Sequence, residues 1–455
     1  MQLPPDRLAE FLGALGDIPV ETAPHILKQK SRDFFWYSPI LTGQLEGRIA
    51  DAVASPRDEA DVLRIAELCV RYGVPLTPRG AGTGNYGQAV PLSGGLVLDM
   101  SSLDMIGPIT NGVVRVGAGA KMRAIEDSVR VQRWELRMFP STVRTATIGG
   151  FIAGGSGGVG SINFGMLNQR GNIPAVRVVT AESSPRVLEL RGDAVNQVHH
   201  AYGTNGIITE LEVALAPAQD WVQVGVTFPD FARLTRFCQA LAEADGIVKR
   251  LITAIQAPTP GRMRALPFAV APNASLGLML IAGGSMEPFH DLTAQHGGDM
   301  AYLATPSEAV AKRVTPIYEF TWNHTTLQML KVDRTITYLQ TRFPADGGLD
   351  LVHALARELA GEVLMHLEFV RVNGRLLCSG LPLVRYTTPE RLNEIIAIFD
   401  AHGVFVANPH TYVLEDGGKK ETDAAQAAFK GAADPFGLLN PGKMRGAPAP
   451  LPLPA

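Results

Sequence analysis

The fold is decided by two glycine-rich stretches, Arg79-Gly-Ala-Gly-Thr-Gly-Asn-Tyr-Gly-Gln88 and Thr147-Ile-Gly-Gly-Phe-Ile-Ala-Gly-Gly-Ser-Gly-Gly-Val-Gly160. Seven of the 12 residues from Gly149 to Gly160 are glycine. Glycine adds nothing to a core and loses the most backbone entropy on folding, so such a run does not stabilise a helix or a strand. Its backbone N–H groups can instead approach a ligand closely. The two stretches therefore predict loops around an elongated anionic ligand, and a dinucleotide fits best.

Length and composition indicate an ordinary globular chain. Its 455 residues favour two domains, and it is 46% hydrophobic and 19% charged. The net charge of −3 offers no electrostatic basis for binding nucleic acid or an anionic membrane. Cys69, Cys238 and Cys378 are far apart in sequence, so we expect buried apolar thiols in a reducing compartment.

The sequence predicts neither a secretory signal nor a membrane span. The N-terminus lacks a basic region followed by an apolar core, and the most apolar window, residues 266–286, is interrupted by Pro267, Pro272 and Asn273. A cytoplasmic location is therefore expected.

The first 215 residues alternate between strand and helix patterns, which indicates a mixed α/β unit around one ligand. Apolar side chains recur at helical spacing over residues 56–73, and Gly73 is expected to end that helix. A second helix is predicted over residues 121–134. Strands are predicted over residues 95–99, 113–117, 175–180 and 206–215.

Beyond Pro217 and Asp220 the glycine density falls and the pattern changes. Strand-like runs over residues 222–228, 275–282 and 363–373 are separated by helical segments over residues 230–244 and 389–402. This order is typical of an α+β domain with an antiparallel sheet.

Two common nucleotide motifs fit poorly. Gly82-Thr-Gly-Asn-Tyr-Gly87 has the spacing GxGxxG, but a lone match is a weak signal, and no amphipathic helix follows it. The Gly-Lys-Ser/Thr of a P-loop is absent. The remaining alternative, two plain surface loops, is disfavoured by the glycine density.

Five motifs in a fixed order carry a family resemblance. They are Pro78-Arg-Gly-Ala-Gly-Thr-Gly84, Pro140-Ser-Thr142 with Ala146-Thr-Ile-Gly-Gly150, Ser156-Gly-Gly158, Tyr202-Gly-Thr-Asn-Gly-Ile-Ile-Thr209, and Asp434-Pro with Leu439-Asn-Pro-Gly-Lys443. The chain resembles the vanillyl-alcohol oxidase / p-cresol methylhydroxylase (PCMH-type) flavoprotein superfamily. Within it, the chain is most similar to the branch of the glycolate oxidase D-subunit and D-lactate dehydrogenase. The resemblance covers residues 50–215 and 405–445.

The resemblance implies an α+β fold: a PCMH-type FAD-binding domain of two α+β subdomains over residues 1–216, and a substrate or cap domain with an antiparallel sheet over residues 217–405. Residues 406–445 would return to the FAD domain, and the proline-rich residues 446–455 would be a disordered tail. By position, the resemblance implies FAD contacts from Arg79, Gly80, Ala81, Gly82, Thr83, Gly84, Asn85, Pro140, Thr142, Gly149, Gly150, Ala153, Gly157, Gly160, Ile207, Ile208, Asn440 and Lys443.

The flavin is expected to be non-covalent. Some members of the superfamily attach it through a histidine of the first loop, where this chain has Thr83 and no histidine. Attachment to a histidine of the second domain stays open.

The implied chemistry is hydride transfer from a CH–OH carbon to FAD, which needs a base for the hydroxyl proton. Histidine is the natural base at neutral pH, and an arginine fork binds a carboxylate. Candidate bases are His410, His366 and His324; His366 and Glu368 should share one face of a strand. Candidate clamps are Arg385, Arg334 and Arg371.

A metal is not predicted. Many relatives carry a His-x-Gly-Asp-Gly-Asn stretch and a later Glu-His-Gly that help bind a divalent ion. This chain has only His366 and His410 in roughly those places. A site built from His366, Glu368 and His410 is the alternative. The missing Gly-Asp-Gly-Asn also weakens the assignment of a 2-hydroxy acid as the substrate.

The leading functional hypothesis is oxidation of a small D-2-hydroxy acid such as lactate or glycolate. One alternative is an aromatic or other non-acid alcohol, favoured by the aromatic strip around Trp322. Another is a flavin subunit of a larger electron-transfer complex. Expected partners are the substrate and an electron acceptor (oxygen, a quinone, a cytochrome or a partner subunit), without nucleic acid; homo-oligomerisation stays open. The aromatic run Asp33-Phe-Phe-Trp-Tyr37 is expected to pack, or else to cover the active site.

Overall fold

The computed structural model describes residues 4–418 and 424–453, which fold into helices and sheets in an α+β arrangement. Its α-helices are α1 Pro5–Leu15, α2 Pro24–Lys30, α3 Pro39–Leu45, α4 Glu59–Tyr72, α5 Met122–Arg130, α6 Ile148–Gly154, α7 Ser161–Phe164, α8 Phe231–Glu243, α9 Thr259–Arg262, α10 Met286–Gln295, α11 Pro306–Ala311, α12 Asn323–Leu330, α13 Gly348–Glu358, α14 Pro389–Ala401 and α15 Ala424–Ala433. Among the described residues, no helix has the length and apolar character needed to cross a membrane.

The strands are mostly short. They are β1 Val20–Glu21, β2 Ala52–Ala54, β3 Leu76–Arg79, β4 Leu96–Asp99, β5 Ile106–Thr110, β6 Val113–Gly117, β7 Trp134–Leu136, β8 Ala175–Val179, β9 Val187–Arg191, β10 Ile207–Pro217, β11 Trp221–Phe228, β12 Lys249–Ile255, β13 Ser275–Ala282, β14 Asp299–Ala304, β15 Ile336–Tyr338, β16 Gln340–Arg342, β17 Val363–Leu364, β18 His366–Val372, β19 Arg375–Gly380, β20 Leu383–Arg385 and β21 Phe405–Ala407.

Helix α4 confirms the prediction for residues 56–73, because both of its ends carry local signals. The Asp58 carboxylate accepts a hydrogen bond from the Asp61 N–H, and Gly73 ends the helix at φ 67°. The helix predicted over residues 121–134 instead ends at Arg130. Residues 131–133 form a turn, and Trp134 begins β7, which pairs with the end of β10, so tertiary pairing overrides the local helical pattern there.

The first half of the chain contains two sheets. In the first, of order β1-β2-β4-β3, the β2–β4 and β3–β4 pairs are parallel. The second is antiparallel, of order β5-β6-β10-β8-β9, with β7 added along β10. The long strand β10 thus organises this half.

The second half is built on an eight-stranded antiparallel sheet of order β14-β11-β13-β12-β18-β19-β16-β21. Along β13, Leu276, Leu278 and Leu280 pack against the core of the second sheet. Met279 and Ile281 point the other way, into a core with helix α8. Both faces of this sheet are therefore buried along its central strands, which explains the near-continuous apolar sequences of β12 and β13.

After β21 the chain returns to the first sheet. The Leu76 N–H donates to the Leu438 carbonyl at 2.8 Å, and the Asn440 N–H donates to the Leu76 carbonyl at 2.8 Å. The following residues, predicted to be disordered over 446–455, lie against this segment: the Leu451 N–H donates to the Pro435 carbonyl at 2.8 Å. Residues 454–455 lie outside the described residues. Cys69, Cys238 and Cys378 are free and buried, as predicted.

A buried charged cluster joins the two halves. Arg250 of β12 is 2% exposed, and its guanidinium lies 3.5 Å from Glu135 and 3.7 Å from Glu126. It also lies over the Phe139 ring, 4.7 Å from the centroid. The Glu135 carboxylate accepts the Trp221 indole N–H at 2.9 Å. Burial raises the pKa of Glu135. Arg250 opposes this rise, because its positive charge favours the ionised carboxylate.

We expect Arg250→Ala to lower the free energy of unfolding by about 1.5–3 kcal/mol, because it removes a buried guanidinium and leaves Arg130, 2.8 Å from Glu126 and 2.7 Å from Glu135, as their remaining counter-charge. Arg170→Ala is the control: Arg170 pairs with Asp193 on the surface, where side-chain exposures are 81% and 63%, and its loss should cost less than about 1 kcal/mol. Urea unfolding followed by circular dichroism measures both. Equal losses in the two variants would show that the cluster adds no stability.

Candidate functional site

A cavity of about 880 Å³ lies where the two glycine-rich stretches face the eight-stranded sheet. This volume is near the upper end of the range of about 300–1,000 Å³ for small-molecule and cofactor pockets. Its wall combines both glycine stretches with β16, the end of β19, β21 and the segment leading into α12. The site is thus formed jointly by both halves of the chain.

The first stretch lines the cavity from Arg79 to Asn85. The Arg79 side chain folds back beneath its own loop and donates to the carbonyl groups of Arg32 and Ala81. A Cβ on Gly82, whose φ is +64°, would lie 2.1 Å from that guanidinium. Glycine is therefore required here by both the backbone angle and the packed arginine.

The sequence predicts that the whole second stretch is a loop. The structure differs, because residues 148–154 form helix α6. Thr147 caps this helix by accepting a hydrogen bond from the Gly150 N–H, and Phe151 and Ile152 are buried beneath it. Capping and burial here offset the low helix propensity of glycine.

The two stretches touch each other at Gly80 and Thr147. A Cβ on Gly80 would lie 2.0 Å from Thr147 Oγ1. The Gln88 side-chain amide of the first stretch donates to the Gly154 carbonyl of the second at 2.9 Å. Backbone from both stretches therefore forms one continuous wall with few side chains, the surface that a pyrophosphate needs.

Most residues predicted to contact FAD line this cavity: Arg79, Gly80, Ala81, Gly82, Thr83, Gly84, Asn85, Pro140, Thr142, Gly149, Gly150, Ala153, Gly157 and Ile208. Gly160, Ile207, Asn440 and Lys443 do not. Ile207 precedes Ile208 on β10 and so points to the opposite face, into the core of the first sheet. Gly160 packs against backbone, since a Cβ there would lie 2.0 Å from the Arg137 carbonyl oxygen.

Asn440 and Lys443 lie behind the first stretch and hold its backbone. The Asn440 side-chain amide donates to the carbonyl groups of Gln88 at 2.8 Å and Tyr202 at 2.7 Å. The Lys443 ammonium donates to the Gly87 carbonyl at 2.6 Å. Burial lowers the pKa of Lys443, and the nearby Asp33 carboxylate opposes that shift. These two residues support the cavity wall without forming part of it.

Of the five catalytic candidates, His324 alone lines the cavity. It lies in the first turn of α12, beside Glu319, Trp322 and Asn323, which also line the wall. Burial lowers the pKa of His324 to about 4. A hydrogen bond with the Glu319 backbone favours protonation and so partly offsets this lowering of the pKa. The imidazole is therefore neutral at pH 7 and available to accept a proton.

The backbone at Trp322 is strained. Its φ of 52° and ψ of −142° lie in a region that glycine favours, and Trp322 is the residue before α12 begins. Such a conformation costs about 1–3 kcal/mol and persists only where the surroundings enforce it. It turns the chain so that Trp322, Asn323 and His324 face the cavity.

The other predicted catalytic side chains lie away from the cavity wall. His366 and Glu368 do share one face of β18, as predicted, with His366 Nε2 3.0 Å from Glu368 Oε1, but both are fully buried. Arg385 ends β20 and is exposed elsewhere on the surface. None of the three lines the cavity, nor do the alternative clamps Arg334 and Arg371.

His410 has both ring nitrogens engaged within the protein. Its Nε2 donates to the Tyr338 carbonyl at 2.9 Å, so Nδ1 accepts from the Ser38 hydroxyl at 2.8 Å. It is 4% exposed and does not line the cavity. This position argues against the predicted role as a base and indicates that His410 anchors the returning C-terminal segment.

The metal alternative receives no geometric support. Within residues 4–418 and 424–453, no three histidine, cysteine, aspartate or glutamate side chains cluster in a way that could hold a metal ion. His366 and Glu368 are paired with each other, whereas His410 is bonded to Ser38 and the Tyr338 backbone.

Several cavity residues escaped the sequence predictions. Arg342 on β16 lies over the Phe405 ring, 5.5 Å from its centroid, and within the described part of the chain its guanidinium has no hydrogen-bond or carboxylate partner. Arg144 lies 3.8 Å from Glu319. Arg144 could have been found from its place between Thr142 and Ala146 of the family motif, whereas nothing in the sequence near Arg342 marks it.

The histidines before Tyr202 and part of the aromatic run near the N-terminus also line the cavity. His199 and His200 lie there, and His200 Nδ1 is 3.1 Å from the Gly155 carbonyl oxygen of the second stretch. Of the aromatic run, Phe34 and Tyr37 line the cavity and Phe35 is buried, so the run both packs and covers the site.

Comparison with known proteins agrees with this geometry. Residues 50–188 match the family described as FAD binding domain. The α+β fold that the sequence predicts is confirmed.

The relatives lie in the branch that the sequence resembles. The chain is 30% identical over 192 residues to glycolate oxidase subunit GlcD of Bacillus subtilis, which covers 40% of each protein. It is 27% identical over 190 residues to D-lactate dehydrogenase of Archaeoglobus fulgidus, covering 39% of this chain and 41% of that protein. The matched region thus spans about two fifths of the length of these curated relatives.

One solved structure, described as alkyldihydroxyacetonephosphate synthase, shares the fold across nearly the whole chain. Its TM-score is 0.73, with 97% of this chain and 85% of that chain covered, at 16% sequence identity. The likeness in fold therefore extends beyond the region where sequence similarity is detectable.

Gly80→Ala should abolish or strongly weaken FAD binding, because the new Cβ would displace Thr147 and separate the two stretches. Gly43→Ala in α3 is the matched control, since its Cβ would meet nothing within 4 Å. The ratio of flavin to protein absorbance, and titration of the apoprotein with FAD, measure the effect. Unchanged FAD affinity in Gly80→Ala would mean that this wall does not hold the cofactor.

Proposed function

We propose that this protein is an FAD-dependent oxidoreductase that oxidises the alcohol carbon of a small hydroxy acid, such as a D-2-hydroxy acid. The observation that carries this proposal is that the wall of the glycine-lined cavity holds both a neutral histidine, His324, and Arg342, an arginine with no hydrogen-bond or carboxylate partner among the described residues. The relatives support it, because glycolate oxidase and D-lactate dehydrogenase are named for substrates of this class.

The backbone of both glycine stretches would hold the FAD, which accepts the hydride when bound. We propose non-covalent binding, supported by Thr83 on the wall where some members of the superfamily have a histidine. Residues 1–216 and 406–445 would hold the cofactor and residues 217–405 would cover the substrate. The electron acceptor would be oxygen, a quinone, a cytochrome or a partner subunit.

His324 would take the hydroxyl proton on an imidazole nitrogen. Its burial keeps it unprotonated before the substrate binds. A substrate carboxylate bound in the same cavity would raise the pKa of the imidazole, because a nearby negative charge favours the imidazolium. The base would therefore strengthen when an acid substrate is bound.

Arg342 would bind the substrate carboxylate. Its planar guanidinium can form two parallel hydrogen bonds with a carboxylate. Arg144 is the weaker candidate, since Glu319 already lies 3.8 Å from it and partly neutralises its charge.

The second candidate function is oxidation of an aromatic alcohol. Phe34, Tyr37, Tyr86, Trp322 and Phe405 all line the cavity, and such walls suit an aryl substrate. An aromatic alcohol without a carboxylate would need His324 but not Arg342, which separates the two candidates experimentally.

His324→Gln should slow flavin reduction by about 10²–10⁴-fold at saturating substrate, the usual contribution of a general base. In the unsubstituted protein the second-order rate of reduction should stay nearly constant from pH 8 to pH 5 and fall as the pH drops toward about 4, where His324 becomes protonated. Anaerobic stopped-flow absorbance with glycolate, D-lactate and vanillyl alcohol measures both. His290→Gln on exposed α10 is the control, and a rate in His324→Gln equal to that control would remove His324 as the base.

Arg342→Met should raise the dissociation constant of a hydroxy acid at least about tenfold, because a charged hydrogen-bonded pair contributes about 1.5–3 kcal/mol. Binding of vanillyl alcohol should change little. Substrate dependence of the reduction rate measures both constants, with Arg170→Met as the control for loss of one positive charge. A similar effect on acid and alcohol would contradict a carboxylate clamp at Arg342.

A further inference from the structure

Glu368 is the most highly connected buried carboxylate near the candidate base, yet it does not reach the cavity. It lies at the centre of β18 and is 1% exposed. Its Oε1 accepts the Trp322 backbone N–H at 2.7 Å, and its Oε2 accepts the Thr253 hydroxyl at 2.6 Å. One side chain thus links β12 and β18 of the sheet to the cavity wall.

His366 completes the environment of this carboxylate. Its Nε2 lies 3.0 Å from Glu368 Oε1 and 3.3 Å from Thr325 Oγ1. A carboxylate can only accept, and the Thr325 hydroxyl already donates to the Phe320 carbonyl at 2.7 Å. His366 Nε2 must therefore carry the proton and donate, so Glu368 receives three donors.

These contacts enclose the strained residue of the wall. The hydrogen bond from Trp322 N–H to Glu368 acts at the residue whose φ is 52°, and Thr325, in the first turn of α12, is tied to both Phe320 and His366. His324 lies between these two fixed points. The direction of its imidazole depends on a turn that a buried carboxylate maintains.

We propose that Glu368 is a positioning residue: it holds Trp322 in its left-handed conformation and thereby aims the His324 imidazole into the cavity. The proposal rests on the proposed function for the role of His324 as base. It reassigns Glu368 and His366, since neither lines the cavity. Because misplacing a reacting group by about 1 Å can cost 10²-fold in rate, losing this support should act on the reduction step and not on FAD binding.

The test compares Glu368→Ala with Glu368→Gln. An amide oxygen can still accept the Trp322 N–H, and the amide NH₂ can donate to the Thr253 hydroxyl, so Glu368→Gln should keep the turn. We expect Glu368→Ala to lower the limiting rate of flavin reduction about 10- to 100-fold and Glu368→Gln to stay within about threefold of the unsubstituted protein. FAD affinity should stay within about twofold in both.

Glu135→Ala is the matched control for loss of a buried carboxylate. Glu135 is 2% exposed and accepts the Trp221 indole N–H, but it does not line the cavity or contact its wall segment. If Glu368→Ala does not fold, Thr253→Val removes one donor to the same carboxylate, with Thr235→Val in α8 as its control; we then expect about a threefold slower reduction. A loss in Glu368→Ala no larger than in Glu135→Ala, or an equal loss in Glu368→Gln, would overturn the proposal.

A second readout separates this proposal from the proposed function. The fluorescence contributed by Trp322 is obtained for each protein by subtracting the emission spectrum of its Trp322→Phe form from the spectrum of the protein that keeps Trp322. We expect it to shift to longer wavelength in Glu368→Ala but not in Glu135→Ala, as the indole becomes more hydrated. If no alcohol or acid reduces the flavin of the unsubstituted protein, the proposed function fails, while this shift still tests the turn. An unchanged Trp322 emission in Glu368→Ala would overturn the positioning role.

Discussion

The two hydrogen bonds from the Asn440 side chain are the constraint on which the cavity depends. They join the carbonyl groups of Gln88 and Tyr202, which are far apart in sequence, through a residue from the C-terminal end of the chain. Glycine loops gain little from their own packing, so their shape must be imposed from outside. Asn440 and Lys443 impose it from behind, which leaves the front of the loops free for a ligand.

The second constraint is the eight-stranded sheet, whose central strands are buried on both faces. One face packs on the first half of the chain, and the charged cluster around Arg250 lies at the junction. Because the sheet cannot tilt without disturbing both cores, the strands that reach the cavity keep a fixed distance from the glycine loops. Arg342 on β16 is therefore placed against the glycine loops by packing that lies well away from it.

The sequence predicted much of this arrangement where the signals are local. Composition predicts the glycine stretches. Capping signals at Asp58 and Gly73 predict helix α4, and the apolar pattern predicts strand β13. The position of His366 and Glu368 on one face follows from the two-residue repeat of a strand. Helix α6 was missed because a cap and two buried side chains outweigh its glycines.

The choice among the histidines was the part that sequence reasoning could not make. His410 looked suitable because it precedes the segment that supports the cofactor loops, yet both of its nitrogens are bonded inside the protein. His324 carries no motif and reaches the cavity only through a backbone turn that Trp322 does not favour by itself. Arg342 likewise comes from a three-residue strand with no distinguishing pattern.

The sequence by itself therefore determined the class of ligand and the elements around it, because glycine spacing, capping residues and apolar periodicity act over a few residues. Only the tertiary structure decided which side chains face that ligand. Access to a cavity depends on long-range contacts, such as Asn440 to Gln88 and Trp322 to Glu368, between residues that no local pattern relates.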